Sequence, residues 1–280
     1  VNRWRWRRLS ARGLLYAGAG LLALQASFPF FWMAATSFKP PVEVFAQPPA
    51  FVPGEPTLDN FRRLFTSTNF LTYFRNSLVV SGLAVLLTMV VSAAGAYSLT
   101  RYRYPGREKI AGLILCTYMF APIMVVIPFF ILVKKVGIEN THVALVLAFT
   151  SFCLPFTLWL LRAFFETIPV ELEEAALVDG AGRARAVVYI VLPLALPGII
   201  ATSIFTFILA WNDYIFTRIL ISSDDLKTLP VGVQDLFHAA LTDWGLIMAA
   251  AMMITIPALL FFVTVQRYLI RGWGAGAVKG

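Results

Sequence analysis

Three glutamates and an aspartate crowd one short stretch of this sequence, Glu171-Leu-Glu-Glu-Ala-Ala-Leu-Val-Asp-Gly180, and Ile190-Val-Leu-Pro193 follows ten residues on. The spacing predicts a short helix. Pro169 suits a first helical position, where its missing N–H is not needed. Glu171, Glu173 and Glu174 then sit near the positive end of the helix dipole. Leu172, Ala175 and Ala176 make a small apolar face, and Gly180 supplies a left-handed stop. A helix this short is not stable alone and needs a surface to dock on. Residue by residue, the segment reads as an amphipathic loop helix lying on a membrane surface, since charge runs are usually solvated faces.

Catalytic patterns are missing elsewhere. No Gly-x-x-x-x-Gly-Lys-Ser/Thr phosphate loop occurs, and Lys227-Thr228 follows Leu226 where a glycine would be needed. No Gly-x-Ser-x-Gly elbow is present. His142 and His238 lack partners at metal-ligand spacing and read as exposed loop residues. Cys116 and Cys153 fall inside apolar runs and read as small buried hydrophobes. The chain is therefore not expected to hydrolyse ATP itself, to bind a metal or to act as an enzyme.

The elements that hold this stretch are apolar. Apolar residues make up 59% of the 280 and charged residues 14%, at a mean hydropathy of +0.76, which excludes an ordinary soluble domain. Six spans are long enough to cross a hydrocarbon core: about 14–36, 76–99, 110–133, 143–165, 187–210 and 246–270. The acidic stretch lies in the loop 166–186, before the fifth span. Residues 1–13 form a basic flank whose Trp4 and Trp6 read as interfacial anchors. Ser37 to Arg75 is polar and holds six of the sixteen prolines. Within it, Leu58, Phe61, Leu64 and Phe65 recur at helical spacing, either on the outer membrane surface or packed on the protein. Prolines 29, 122, 128, 155, 193, 197 and 257 fall in or beside spans, where freed carbonyls need a neighbouring helix or line a pathway.

Fifteen of the 23 basic residues lie on the N-terminal side of a six-span topology. The positive-inside rule then makes both termini and the acidic helix cytoplasmic. The basic balance is a topology signal and gives no support to nucleic-acid binding. No ionisable residue sits squarely mid-span, which speaks against a proton-relay transporter. Outside, Trp211 to Gly245 mixes carboxylates with aromatic rings, groups that stack on and hydrogen-bond to sugars or anchor at an interface.

Glu174-Ala-Ala, Gly180 and Ile190-x-Leu-Pro193 match in spacing the motif of bacterial ATP-binding-cassette (ABC) importer permeases. Ser37-Phe-Lys39, Pro56-Thr-Leu-Asp-Asn-Phe61, Arg75-Asn-Ser77 and Tyr97-Ser-Leu-Thr-Arg101 resemble the maltose-type, MalG-like carbohydrate branch. So do Pro105-Gly-Arg107, Trp211-Asn-Asp-Tyr214, Thr228-Leu-Pro-Val-Gly232 and Gly276-Ala-Val-Lys-Gly280. The resemblance runs from about Ser37 to the last residue. It implies an all-α integral membrane protein with the six-helix type I importer permease fold and a cytoplasmic coupling helix. It also implies residence in the bacterial cytoplasmic (inner) membrane, in contact with membrane lipid.

The implied partners are a second, MalF-like permease, two cytoplasmic ATPase subunits that carry ATP and Mg, and an extracytoplasmic sugar-binding protein. No cofactor is implied for this chain. The resemblance assigns ATPase coupling to Glu171, Glu174, Ala175, Ala176, Asp179, Gly180, Ile190, Leu192 and Pro193. Trp211, Asn212, Asp213 and Tyr214 are the expected substrate path or binding-protein contact. The rivals are a permease for a polyol, glycerol phosphate or oligopeptide, a stand-alone secondary transporter, and a membrane-bound hydrolase. The topology is tested by labelling: a cysteine at Tyr104 should react with an impermeant thiol reagent only from the cytoplasm, and one at Asn60 only from outside. Reaction of the second from the cytoplasm would overturn the orientation or the span count.

Overall fold

A computed structural model describes residues 2–237 and 243–276, with side chains for 13–237 and 243–264. His238, the side chains of the basic flank and the terminal Ala277 to Gly280 lie outside the described residues. The described residues form helices and no strand. In order these are α1 (Asn2–Ser37), α2 (Pro41–Val44), α3 (Asp59–Thr66), α4 (Phe70–Arg101), α5 (Arg107–Thr117), α6 (Pro122–Val136) and α7 (His142–Glu166). Then come α8 (Glu171–Val178), α9 (Arg183–Ala186), a π-helical turn (Val187–Val191), α10 (Leu192–Leu194), α11 (Leu196–Trp211) and α12 (Ile215–Leu220). A 3₁₀ turn (Asp224–Leu226), α13 (Leu229–Phe237) and α14 (Trp244–Gly276) complete the series.

Four segments are long and apolar enough to cross a membrane unbroken: Gly13–Ser37, Phe70–Arg101, His142–Glu166 and Trp244–Thr264. Two bent pairs make the count six when each crosses as one. The intervals 110–133 and 187–210, expected as continuous helices, are these pairs. α5 and α6 bend by 101°, and Arg183–Leu194 bends against α11 by 76°. Proline explains both. Pro122 opens α6 and forces Ala121 to an extended ψ of 141°. Pro197 stands in the first turn of α11 just past the break at Ala195. Pro29, Pro128, Pro155 and Pro257 are carried inside continuous helices. α1 runs unbroken from Asn2 through the basic flank.

The chain divides into two compact units, one made of residues up to Thr68 with Asp235–Thr255, the other of Asn69–Gln234 with the chain from Ile256 on. In the first, one face of α3 packs on the protein. Leu64 is fully buried, and Asn60, 1% exposed, donates to the carbonyls of Ser37 (2.9 Å) and Lys39 (2.8 Å). Lys39 is buried too, its Nζ donating to the Ala50 carbonyl at 2.5 Å and lying 4.6 Å from the Trp32 ring centre. A cysteine at Asn60 would thus be shielded from either side. Exposed Arg62 is the position in α3 whose replacement by cysteine tests the orientation.

In the second unit α4 packs along α7 and α11. Its buried line is Ser77, Ser81, Ala84, Thr88, Ser92 and Ala96, small residues every three or four positions. Lipid tails are as apolar as leucine, so membrane helices gain by close backbone approach rather than by burying large apolar groups. Ser92 and Thr157 share a 2.7 Å hydrogen bond between α4 and α7, and a Cβ on Gly95 would lie 2.7 Å from Leu158. Cys153 is buried in α7 as expected, but Cys116 is exposed. On α11, a Cβ at Gly198 would press 2.5 Å from the Phe164 ring. We expect Gly198→Leu to lower the thermal midpoint of the detergent-solubilised chain, at a cost of about 1–3 kcal/mol typical of overpacking. Adding Phe164→Ala should recover part of it. An unchanged midpoint would refute the close approach.

Candidate functional site

The acidic stretch folds as α8, beginning at Glu171 with Pro169 left outside the helix. Its end is a Schellman turn: the Ala181 N–H donates to the Ala176 carbonyl (2.9 Å) and the Gly180 N–H to that of Leu177 (3.1 Å). Gly180 takes φ +86°, a conformation that strains a residue with a side chain by roughly 1–2 kcal/mol. Here the expected stop and the observed one agree.

The face that α8 turns to the bundle differs from the expected one. Leu172 and Ala175 are exposed, and the one buried residue of α8 is Glu173. It accepts from Arg101 Nε at 2.5 Å and from the Tyr97 hydroxyl at 3.0 Å, both on the last turns of α4. Side-chain exposures of 9% for Arg101 and 7% for Glu173 make this a buried ion pair. Arg101 Nη2 also donates to the Ile168 carbonyl at 2.9 Å, which fixes the chain between α7 and α8. Such a pair contributes little net stability, but removing one partner costs about 3–5 kcal/mol because the other charge stays buried. Next to it, the Arg183 guanidinium lies 5.4 Å from the Tyr102 ring centre and donates to its hydroxyl at 3.2 Å, which anchors α9. A cleft of about 190 Å³ opens between these side chains, lined in part by Glu174 and Leu177. The sequence places Glu173 only as a first-turn acid of the helix and names Tyr97 and Arg101 only as the ends of one of the stretches that carry the resemblance; nothing in it pairs the three.

Among the expected coupling residues, Glu171, Glu174, Ala175, Asp179 and Gly180 are exposed along α8, and Ala176 is half-buried. Leu172, Leu177 and Val178 stand exposed beside them. Ile190 falls in the π-helical turn, half-buried, and Leu192 packs against the cluster of Ala96, Leu161 and Phe165. Pro193 is exposed just before the break. This second half of the motif lies in the limb that leads from α9 up to the bend.

At the other end of α11, Trp211 departs from expectation. It is fully buried, stacked on Phe207 at 5.4 Å and edge-on to Phe74 at 5.8 Å, so no ring face is free for a solute. Asn212, Asp213 and Tyr214 line a cleft of about 340 Å³ together with Phe149, Phe152 and Phe216. Asp213 spends its carboxylate on α12, accepting from the backbone N–H of Phe216 (3.3 Å) and Thr217 (3.0 Å). Burial pushes this carboxyl above its usual range despite those bonds. Beyond it the chain is tied down. Asp224 accepts from Asn69 and Tyr73 at 2.9 Å each and pairs with Lys227 at 2.8 Å, and the Lys227 bond leads in holding it below the usual carboxylate range. His142, read as a loop residue, opens α7 with Nε2 3.1 Å from the Leu226 carbonyl.

The second unit thus carries one short, capped helix pinned to the end of a long apolar helix, α4. The chain belongs to the family described as binding-protein-dependent transport system inner membrane component, matched over residues 92–274. It is 38% identical over 276 residues to the inner membrane ABC transporter permease protein YcjP of Escherichia coli (strain K12), covering 98% of each chain. It is 34% identical to the trehalose/maltose transport system permease protein MalG of Thermococcus litoralis, over 96% of this chain and 97% of that one. The diacetylchitobiose uptake system permease protein DasC of Streptomyces coelicolor is 37% identical, over 94% and 95%. In fold the chain is similar to a chain in the crystal structure of a bacterial ABC transporter that imports alginate, at a TM-score of 0.82 and 24% identity, over 94% and 98%.

Proposed function

We propose that this chain is one of two permease subunits of a sugar importer, and that α8 is its contact with the ATPase that drives it. The observation that carries the reading is α8 itself. It is fixed from behind by Glu173 and stopped by Gly180, and it presents Glu174, Ala175, Leu172, Leu177 and Val178 outward. A short rigid helix with one face anchored and one open can pass on a rigid-body displacement, which a flexible loop cannot. The resemblance supplies the partners: a second permease, two ATPases holding ATP and Mg²⁺, and an external binding protein. Relatives named for trehalose/maltose and diacetylchitobiose transport support a sugar as the solute. The basic-residue asymmetry supports a cytoplasmic α8 and termini.

In this mechanism ATP-driven closure draws the docked helices together and the permeases rock from inward- to outward-facing. The chain itself forms no covalent bond with the solute. Asn212 and Tyr214, exposed at the cleft beyond α11, are the side chains we place on the solute path, with Asp213 holding the turn between them.

Gly180→Val should misdirect α8, and Ala175→Trp should obstruct its outer face. Neither residue lies in the buried bundle, so both variants should insert and remain stable. We expect each to lose the ATPase in pull-down from membranes and to lose uptake of maltose, trehalose and diacetylchitobiose, whichever the wild type carries. Normal ATPase retention together with normal uptake in both variants would reduce α8 to a surface loop.

A further inference from the structure

The inference concerns what α8 moves, and it rests on the ATPase-docking reading above. α8 is attached to its own bundle by a directional device. The buried residue of the helix is a charge, held by two side chains of α4. Apolar contacts can slide, whereas a guanidinium and a phenol converging on one carboxylate fix both position and rotation. The helix they come from is unusual among the unbroken spans. α1, α7 and α14 each carry an internal proline, while α4 runs 32 residues with none. At about 1.5 Å per residue that is a rod of roughly 48 Å, more than the thickness of a hydrocarbon core.

The other end of the rod is tied as well, through an exposed carboxylate and more buried contacts to the backbone. Asn69 and Tyr73 hold the carboxylate of Asp224. Asn76 Nδ2 donates to the carbonyls of Asp225 (2.8 Å) and Lys227 (2.9 Å), and Ser77 Oγ accepts from the Leu229 N–H at 2.8 Å. The Tyr73 ring lies so close to Gly232 that a Cβ there could not be accommodated. Thus one helix bonds α8 at one end and the Asp224–Leu229 segment at the other.

We propose that α4 is a connecting rod: it carries the displacement of α8 across the membrane to the Asp224–Leu229 segment, with Arg101–Glu173 as the near joint and Asp224 as the far joint. Arg101, Tyr97, Asn69 and Tyr73 are positioning residues in this scheme. They touch no solute and act through the segments they hold. The consequence is that ATPase closure and the state of that segment are linked through a single element with no intervening hinge, and linkage makes the coupling reciprocal.

The test reads distances by spin labels in a Cys116→Ser, Cys153→Ser chain. One pair joins Val178 on α8 to Leu86 on α4, and a second joins Leu86 to Asp225, all three positions being exposed. Distances are taken for the chain alone, for the full complex, and for the complex trapped with ATP and vanadate, with ATPase retention measured on each sample. Both wild-type distributions should be narrow and unchanged by trapping. Glu173→Gln, which keeps shape and removes charge, should broaden the first distribution even without the ATPase and make it shift on trapping, leaving the second alone. Asp224→Asn should do the converse, and Tyr97→Phe should give a weaker form of the Glu173→Gln effect. A wild-type distance that changes on trapping overturns the rod. So do Glu173→Gln and Asp224→Asn distributions equal to wild type. Failure of the wild-type chain to retain the ATPase removes the docking reading instead, and the distances of the chain alone still decide the joints.

Discussion

The ion pair between Arg101 and Glu173 is the interaction on which the rest of this structure turns. α8 is eight residues long and could not hold its shape alone. Its N-terminal carboxylates and its Schellman stop make it helical, and the pair, with the Tyr97 hydroxyl beside it, fixes its place on α4. Burying two charges costs desolvation energy that the Coulomb attraction just offsets. The stability argument for the pair is therefore weak and the geometric one strong. A helix packed by Leu172 and Ala176 could rock on its seat, and one held by a forked cation at the end of a long span cannot.

The surrounding bundle follows from the membrane as solvent. α4 meets α7 and α11 through serine, threonine and alanine, and glycines 95 and 198 admit side chains from α7. Some of the hydroxyls bond to the preceding turn, as Ser81 does to Ser77 and Thr202 to Gly198, while Thr88 on α4 is buried with no hydrogen-bond partner. Where the spans must bend, prolines place the break at a helix start, beside Pro122 and Pro197, rather than within the packed core. The second bend is what brings α8 and α9 back under the end of α4. Ile190-x-Leu-Pro193 is thereby a structural companion of the acidic half of the motif.

Much of this was legible from one sequence because its signals are local. Apolar length marks the six segments that the structure folds as four unbroken helices and two bent pairs, Gly180 marks the stop of α8, and the motif spacing points to the family to which the chain belongs. What escaped reading depended on distant partners. Glu173 and Glu174 are adjacent carboxylates, and nothing within ten residues says that the first faces Arg101, 72 positions earlier, while the second faces out. An aromatic ring at a span end can serve as an interfacial anchor or as a stacking surface for a solute, and Trp211 is placed as neither by its type alone. Phe74 and Phe207 cover it instead. The breaks in the third and fifth spans were written in their prolines, but four other prolines sit inside continuous helices, so residue type alone could not locate a bend.

A docking surface on the outer face of α8 must touch the ATPase directly. Val178, 87% exposed and free of the Glu173 joint, is the place to ask. A photo-crosslinker on a cysteine at Val178, in the intact complex and in a Cys116→Ser background, should join this chain to an ATPase subunit. The adduct should disappear when the ATPase is stripped from the membrane. Cross-linking only to lipid or to the external binding protein, with the ATPase present, would contradict it.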